Sequence, residues 1–91
     1  MWMVNTPTGK VKAIEVLNKA IDLDKRYAPA YFGLGTNYEI LNDPYMAMQM
    51  YRATLRLKPN LTQARERLNN LIKQQREFEK QFKRGIFNKA N

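Results

Sequence analysis

Apolar side chains recur along this chain at steps of three and four, without the period-two alternation of a half-buried strand. That spacing gathers them on one face of a helix, which turns once every ~3.6 residues. Ala13, Leu17 and Ile21 form one stripe; Tyr31, Leu34, Tyr38 and Leu41 form a second; Ala47, Tyr51 and Leu55 form a third. Leu61, Ala64, Leu68, Leu71, Gln75, Phe78 and Phe82 make a fourth, close to a heptad seam with one polar interruption. Breakers set the ends. Asp43 is a natural N-cap and Pro44 fits the first helical position after it. Pro59-Asn60 stops the next helix, because proline cannot continue the backbone ladder. Gly85 suits a left-handed cap, with Lys83-Arg84 complementing the helix C-terminus. The pattern predicts helices near 10–24, 28–41, 44–58 and 61–84, and no strand.

The chain also repeats itself. A shift of 34 residues carries Ala13 onto Ala47, Leu17 onto Tyr51, Ile21 onto Leu55, Ala30 onto Ala64 and Leu34 onto Leu68. Within one period, Tyr31-x2-Leu34-Gly35-x2-Tyr38, followed by Ala47, Tyr51 and Pro59, resembles the tetratricopeptide repeat. Thr54 and Lys25 depart from it, standing where that family usually has alanine and proline. The resemblance covers roughly residues 10 to 75. It implies an all-α, helix-turn-helix solenoid fragment with a long C-terminal capping helix. Residues 1–9 are then an N-terminal segment, 10–24 the second helix of a partial repeat and 28–61 a complete repeat. Residues 62–91 are a first-helix half repeat extended into a basic helix. Gly35 and Ala47 are expected where the paired helices approach most closely, with Tyr31, Leu34, Tyr38, Tyr51 and Pro59 completing the packing set. Such units bury a core only against neighbours, and ~3 repeats are normally needed. The expectation is therefore a fragment of a longer array, or a homo-oligomer in which Leu68, Leu71, Phe78 and Phe82 meet a second copy.

Composition narrows the chemistry. At 91 residues and 44% apolar, the chain is one small folded domain or a piece of one. It has no cysteine and no histidine, which excludes disulfides, the usual zinc sites and His-dependent nucleophilic catalysis. No apolar run approaches the ~20 residues of a membrane span, and Met1-Trp2-Met3-Val4 lacks the features of a signal peptide. A cytoplasmic protein is expected. Asp22 and Asp24 point in different directions on a helix and make no carboxylate pair. Thr8-Gly9-Lys10 lacks the first glycine and the strand of a phosphate loop, and reads as a lead into the first helix. Asn60-Leu61-Thr62 matches a glycosylation acceptor but falls in an inter-repeat turn. No catalytic residue, metal site or cofactor is expected.

What remains is a binding surface. By the resemblance, the first helix of each repeat lines a concave groove, here Pro29, Phe32, Thr36, Glu39 and Ile40, then Gln63, Glu66, Asn70, Lys73 and Gln74. Phe32 and Ile40 either hold an apolar partner side chain or lie under a neighbouring helix. The family's two-carboxylate clamp for chaperone tails needs Lys and Arg one turn apart in that groove. Pro29, Gly33 and Gln63 stand at those places and only Arg67 is a cation, so that function is not expected. The net charge is +8, and residues 62–91 hold eight of the 16 Lys and Arg against three of the eight Asp and Glu. This basic end suits an acidic protein partner; the alternatives are RNA, with Phe78, Phe82 and Phe87 stacking on bases, or an anionic membrane surface. The reading is a non-enzymatic adaptor for a protein segment.

Overall fold

The computed structural model describes residues 7–90, with side chains described from Lys12 to Lys83 and Gly9 placed as buried. Met1 to Val4, and the side chains of Arg84, Ile86, Phe87 and Lys89, lie outside the described residues. Four helices follow one another: α1 (Pro7–Leu23), α2 (Ala28–Ile40), α3 (Pro44–Leu57) and α4 (Thr62–Ala90). Each packs on the next in sequence. The Cα radius of gyration is 16.0 Å, with extents of 55 × 31 × 19 Å. A compact chain of this length would measure ~12 Å. The excess reflects helices stacked side by side, with α4 reaching past them.

Two ends differ from the sequence pattern. Thr8-Gly9-Lys10, expected as a lead-in loop, lies in the first turn of α1, which begins at Pro7. Proline's fixed φ suits a first helical position, and the N–H it lacks would have been unpaired there. Gly85, expected to end the last helix, is instead inside α4, which continues to Ala90. A glycine costs a helix only ~1 kcal/mol and stops it only where the chain turns left-handed, as no glycine here does.

The α2–α3 turn is closed by the backbone around Asn42, whose conformation spacing alone does not reveal. Asn42 takes φ 63°. Its N–H donates to the Glu39 carbonyl at 3.0 Å and that of Asp43 to the Tyr38 carbonyl at 2.8 Å, the paired bonds of a Schellman end. Asp43 then caps α3, its side chain accepting from the Met46 N–H at 3.2 Å, with Pro44 next. Before α2, the Tyr31 hydroxyl donates to the Lys25 carbonyl at 3.0 Å and pins the preceding turn.

α2 is covered on two sides, which explains why it is apolar nearly all round. Toward α1, a Cβ on Gly33 would stand 3.1 Å from the Leu17 side chain. Toward α3, a Cβ on Gly35 would stand 2.4 Å from the Tyr51 ring. The core runs through α3 into α4 as Ala47, Tyr51, Ala64, Leu68 and Leu71, with Phe32 and Tyr38 of α2 packed against it. Leu34 is buried as well, Tyr31 half-buried, and Pro59 exposed in its turn. Thr54, where the repeat pattern has alanine, is fully buried and donates its hydroxyl to the Met50 carbonyl at 2.8 Å. Its polar atom is thus satisfied inside its own helix.

Candidate functional site

Between α2 and the first turns of α4 lies an open cleft of about 540 Å³, lined by Phe32, Gln63, Glu66, Arg67 and Asn70. The four α4 residues recur at helical spacing beside the buried Ala64, Leu68 and Leu71, so the core stripe sets which of their faces the cleft sees. Phe32 leans on Tyr51, ring centroids 5.7 Å apart and planes tilted by 51°. That contact leaves it half-buried, with part of its ring at the cleft wall.

A small polar network braces the site. Glu39 Oε2 accepts from the Tyr51 hydroxyl at 2.5 Å and from Arg67 Nη1 at 2.9 Å. One carboxylate oxygen on α2 therefore ties α3 to α4. The Arg67 side chain is 50% exposed and that of Glu39 23%, so as a bare ion pair the contact is worth only ~0–1 kcal/mol. Its larger role is to fix the guanidinium at the cleft wall. Burial opposes the charge on Arg67, but the hydrogen bond of Glu39 together with the neighbouring Tyr51 and Glu39 charges outweighs this, and its pKa is raised.

Burial, and then the hydrogen bond and charge of Glu39, push the Tyr51 hydroxyl well above its ordinary value. Tyr51 ionises near 10 when unfolded and higher when folded, so the folded state holds this proton more tightly. The resulting stability is fully present below pH 10 and is lost as pH rises above it. Urea midpoints measured from pH 8 to 11 should fall more steeply for the native chain than for Tyr51→Phe. Parallel curves would contradict the network. At neutral pH, Tyr51→Phe should cost ~0.5–1.5 kcal/mol, because Arg67 still satisfies Glu39.

The groove residues expected from the sequence divide among several surfaces. Phe32, Gln63, Glu66 and Asn70 meet in the one cleft. Glu39 and Gln74 line a second, of about 480 Å³, with Asn42, Pro44, Leu71, Gln75 and Phe78. Lys73 sits farther around α4, in a third depression with Arg76 and Lys80. Thr36 turns its hydroxyl back to the Gly33 carbonyl at 2.9 Å. Ile40 is exposed, as is Pro29, and neither lines these clefts. Of the residues assigned to self-association, Leu68 and Leu71 are buried in the chain's own core, because α4 packs on α3 through them. Phe78 and Phe82 remain, 66% and 60% exposed. Arg67, which the sequence marked only as the remnant of an absent clamp, is the lining residue that composition and spacing undervalued. Its partner Glu39 is 28 residues away, a separation that carries no helical signal.

Among the described residues no cluster of three or more acidic, His or Cys side chains is placed to hold a metal ion. No helix there is long and apolar enough to cross a membrane. No curated protein matches the chain. A family model does: that of the tetratricopeptide repeat, over residues 28–61, which span α2, α3 and the turn closing them. Residues 28–61 are therefore similar to a tetratricopeptide repeat, a unit that in its family generally serves as a non-catalytic scaffold for protein–protein interaction.

Proposed function

We propose that this chain is a non-enzymatic adaptor whose α2–α4 cleft takes an extended protein segment. The observation that carries the reading is the mixed lining of that cleft. Phe32 offers an aromatic face, Gln63 and Asn70 offer carboxamides able both to donate and to accept, and Glu66 adds a carboxylate. Its cation, Arg67, is already bonded to Glu39. Such a lining suits a peptide, which brings main-chain amides and intermittent apolar side chains. A phosphodiester strand would meet Glu66 as a repelling charge and find no unpaired cation among these lining residues.

The basic helix supports the RNA alternative less well. Lys73, Arg76 and Lys80 share a depression, but Glu77 shares it too. Helical periodicity places Phe78 and Phe82 on the opposite side of α4 from Lys73 and Lys80, so a strand tracking those cations would not reach the rings. Peptides selected from a random display library on the folded chain provide the test. Phe32→Ala should weaken their binding about fivefold or more, a loss of ~1 kcal/mol for an anchor of this size. Binding untouched by Phe32→Ala and by Asn70→Ala would remove the cleft from the proposal.

A second reading has its own observation. The exposed Phe78 and Phe82 rings support self-association through the far half of α4, beyond the residues that pack on α3. The two activities use different faces and do not exclude each other.

A further inference from the structure

The far half of α4 is a helix with an apolar edge and no cover from the described residues. From Arg76 to Lys83 every residue is exposed, yet the helix continues. Phe78 and Phe82 stand on that edge with ring centroids 6.4 Å apart and planes within 14° of parallel. Directly before them lies the cleft of about 480 Å³ that Pro44 and Leu71 help to wall and Phe78 closes. One stretch of surface thus carries a projecting ring, Phe82, and one turn away a recess large enough for such a ring. A patch that contains both knob and hole is what a two-fold contact between identical copies requires.

The charges favour a second copy over a partner of opposite sign. In heptad register, the positions flanking the apolar edge between residues 72 and 81 are Ile72, Gln74, Glu79 and Gln81. Only one is charged, and none is a cation. Lys73, Arg76, Lys80 and Lys83 all fall on outer positions, away from the edge. A chain of net charge +8 can approach itself along this line without setting its cations face to face. An acidic partner docking on the same edge would need cations at its rim, where the carboxamides stand instead.

Resting on the self-association reading above, we infer that α4 of one copy lies antiparallel along α4 of a second, each Phe82 seated in the recess beside the other's Phe78. The direction follows from the recess. In a parallel pair in register, Phe82 meets its own counterpart, both recesses stay empty, and the two α1–α3 bodies crowd one end. Run antiparallel, each ring reaches the other copy's recess and the two bodies part. Four rings, each bringing on the order of 100 Å² of still-exposed surface, cover under half of the ~1,000 Å² of a stable interface. The remainder falls to the flanking carboxamides and Ile72, so the pair is weak, with a dissociation constant on the order of 10–100 µM.

The test is sedimentation equilibrium of the whole chain up to about 0.5 mM, well above that range, joined to label distances. The chain has no cysteine, so Lys73→Cys and Lys80→Cys each accept one spin label, on the side of α4 away from the contact. The expected result is a dimer that Phe82→Ala weakens roughly tenfold or more, with helicity and melting temperature unchanged in dilute solution, where the chain is monomeric, because Phe82 lies outside the core. Labels at 80 should be closer to each other than labels at 73 by roughly 4–7 Å, because the axial offset set by the ~1.5 Å rise per residue adds at right angles to the width of the pair. A monomer throughout the range overturns this inference and the self-association reading together. A dimer indifferent to Phe82→Ala, or one with equal label separations at the two sites, overturns the antiparallel exchange alone.

Discussion

Replacing Tyr51 with alanine should cost ~3–5 kcal/mol, the cost of removing a fully buried aromatic ring and leaving its cavity. A chain of this length has only ~5–14 kcal/mol of folding stability in total. The expected fall in melting temperature is tens of degrees, at ~4–8 °C per kcal/mol for a domain of this size. The reason lies in how many elements meet at one side chain. The ring fills the α2–α3 crossing against Gly35 and supports Phe32 at the cleft wall. Its hydroxyl bonds Glu39, which in turn holds Arg67 of α4. Removing it loosens three helices at once and takes the cleft with them. Thermal denaturation followed by circular dichroism measures this, and a shift of less than about 5 °C would contradict the packing described.

The second large effect comes from a single added methyl. Gly35→Ala sets a Cβ 2.4 Å from Tyr51 Cε1 and under 3 Å from two more ring atoms. The ring is fully buried and rigid, so it cannot step aside as the tip of a long side chain would. Overpacking of this kind costs ~1–3 kcal/mol, set against ~1 kcal/mol that alanine gains over glycine within a helix. A net loss is expected. Gly33→Ala is the matched control two residues away. The nearest atoms to its Cβ would be Leu17 methyl groups, at 3.1 and 3.3 Å, and that half-buried side chain can give by a few tenths of an ångström. Gly33→Ala should be near neutral or stabilising. If the two substitutions behave alike, the glycines serve helix flexibility rather than close approach, and the assigned register is wrong.

The helices were legible because their signals are local. Stripes at three- and four-residue steps, Asp43-Pro44 and Pro59 needed no tertiary information, and the observed ends lie close to those expected in the middle of the chain. The outer ends were less legible for a physical reason. Glycine at position 85 biases a helix toward ending by an energy small enough for the rest of α4 to override. The left-handed Asn42 is a different kind of omission. Asparagine tolerates that conformation, but most asparagines do not adopt it, and only the 3.0 and 2.8 Å carbonyl bonds around it show that this one does. The cleft was half legible. The resemblance to the repeat put Gln63, Glu66 and Asn70 in one groove, whereas the placement of Phe32 against Tyr51 and the engagement of Glu39 depend on helix crossings. The same lack of crossing geometry put Leu68 and Leu71 on an outer seam when α3 already covers them.

In the proposed function the α2–α4 cleft, and not the basic face of α4, receives the partner. Amide chemical-shift mapping on the isotope-labelled chain tests it directly, with a library-selected peptide in one titration and single-stranded RNA in the other. The expected result is that the peptide saturates the chain and moves the resonances of Phe32, Gln63, Arg67 and Asn70. RNA should produce only small shifts around Lys73, Arg76, Lys80 and Lys83 that vanish with added salt. RNA that saturates those lysine and arginine resonances at low micromolar concentration, with no selected peptide shifting Phe32 or Asn70, would contradict it.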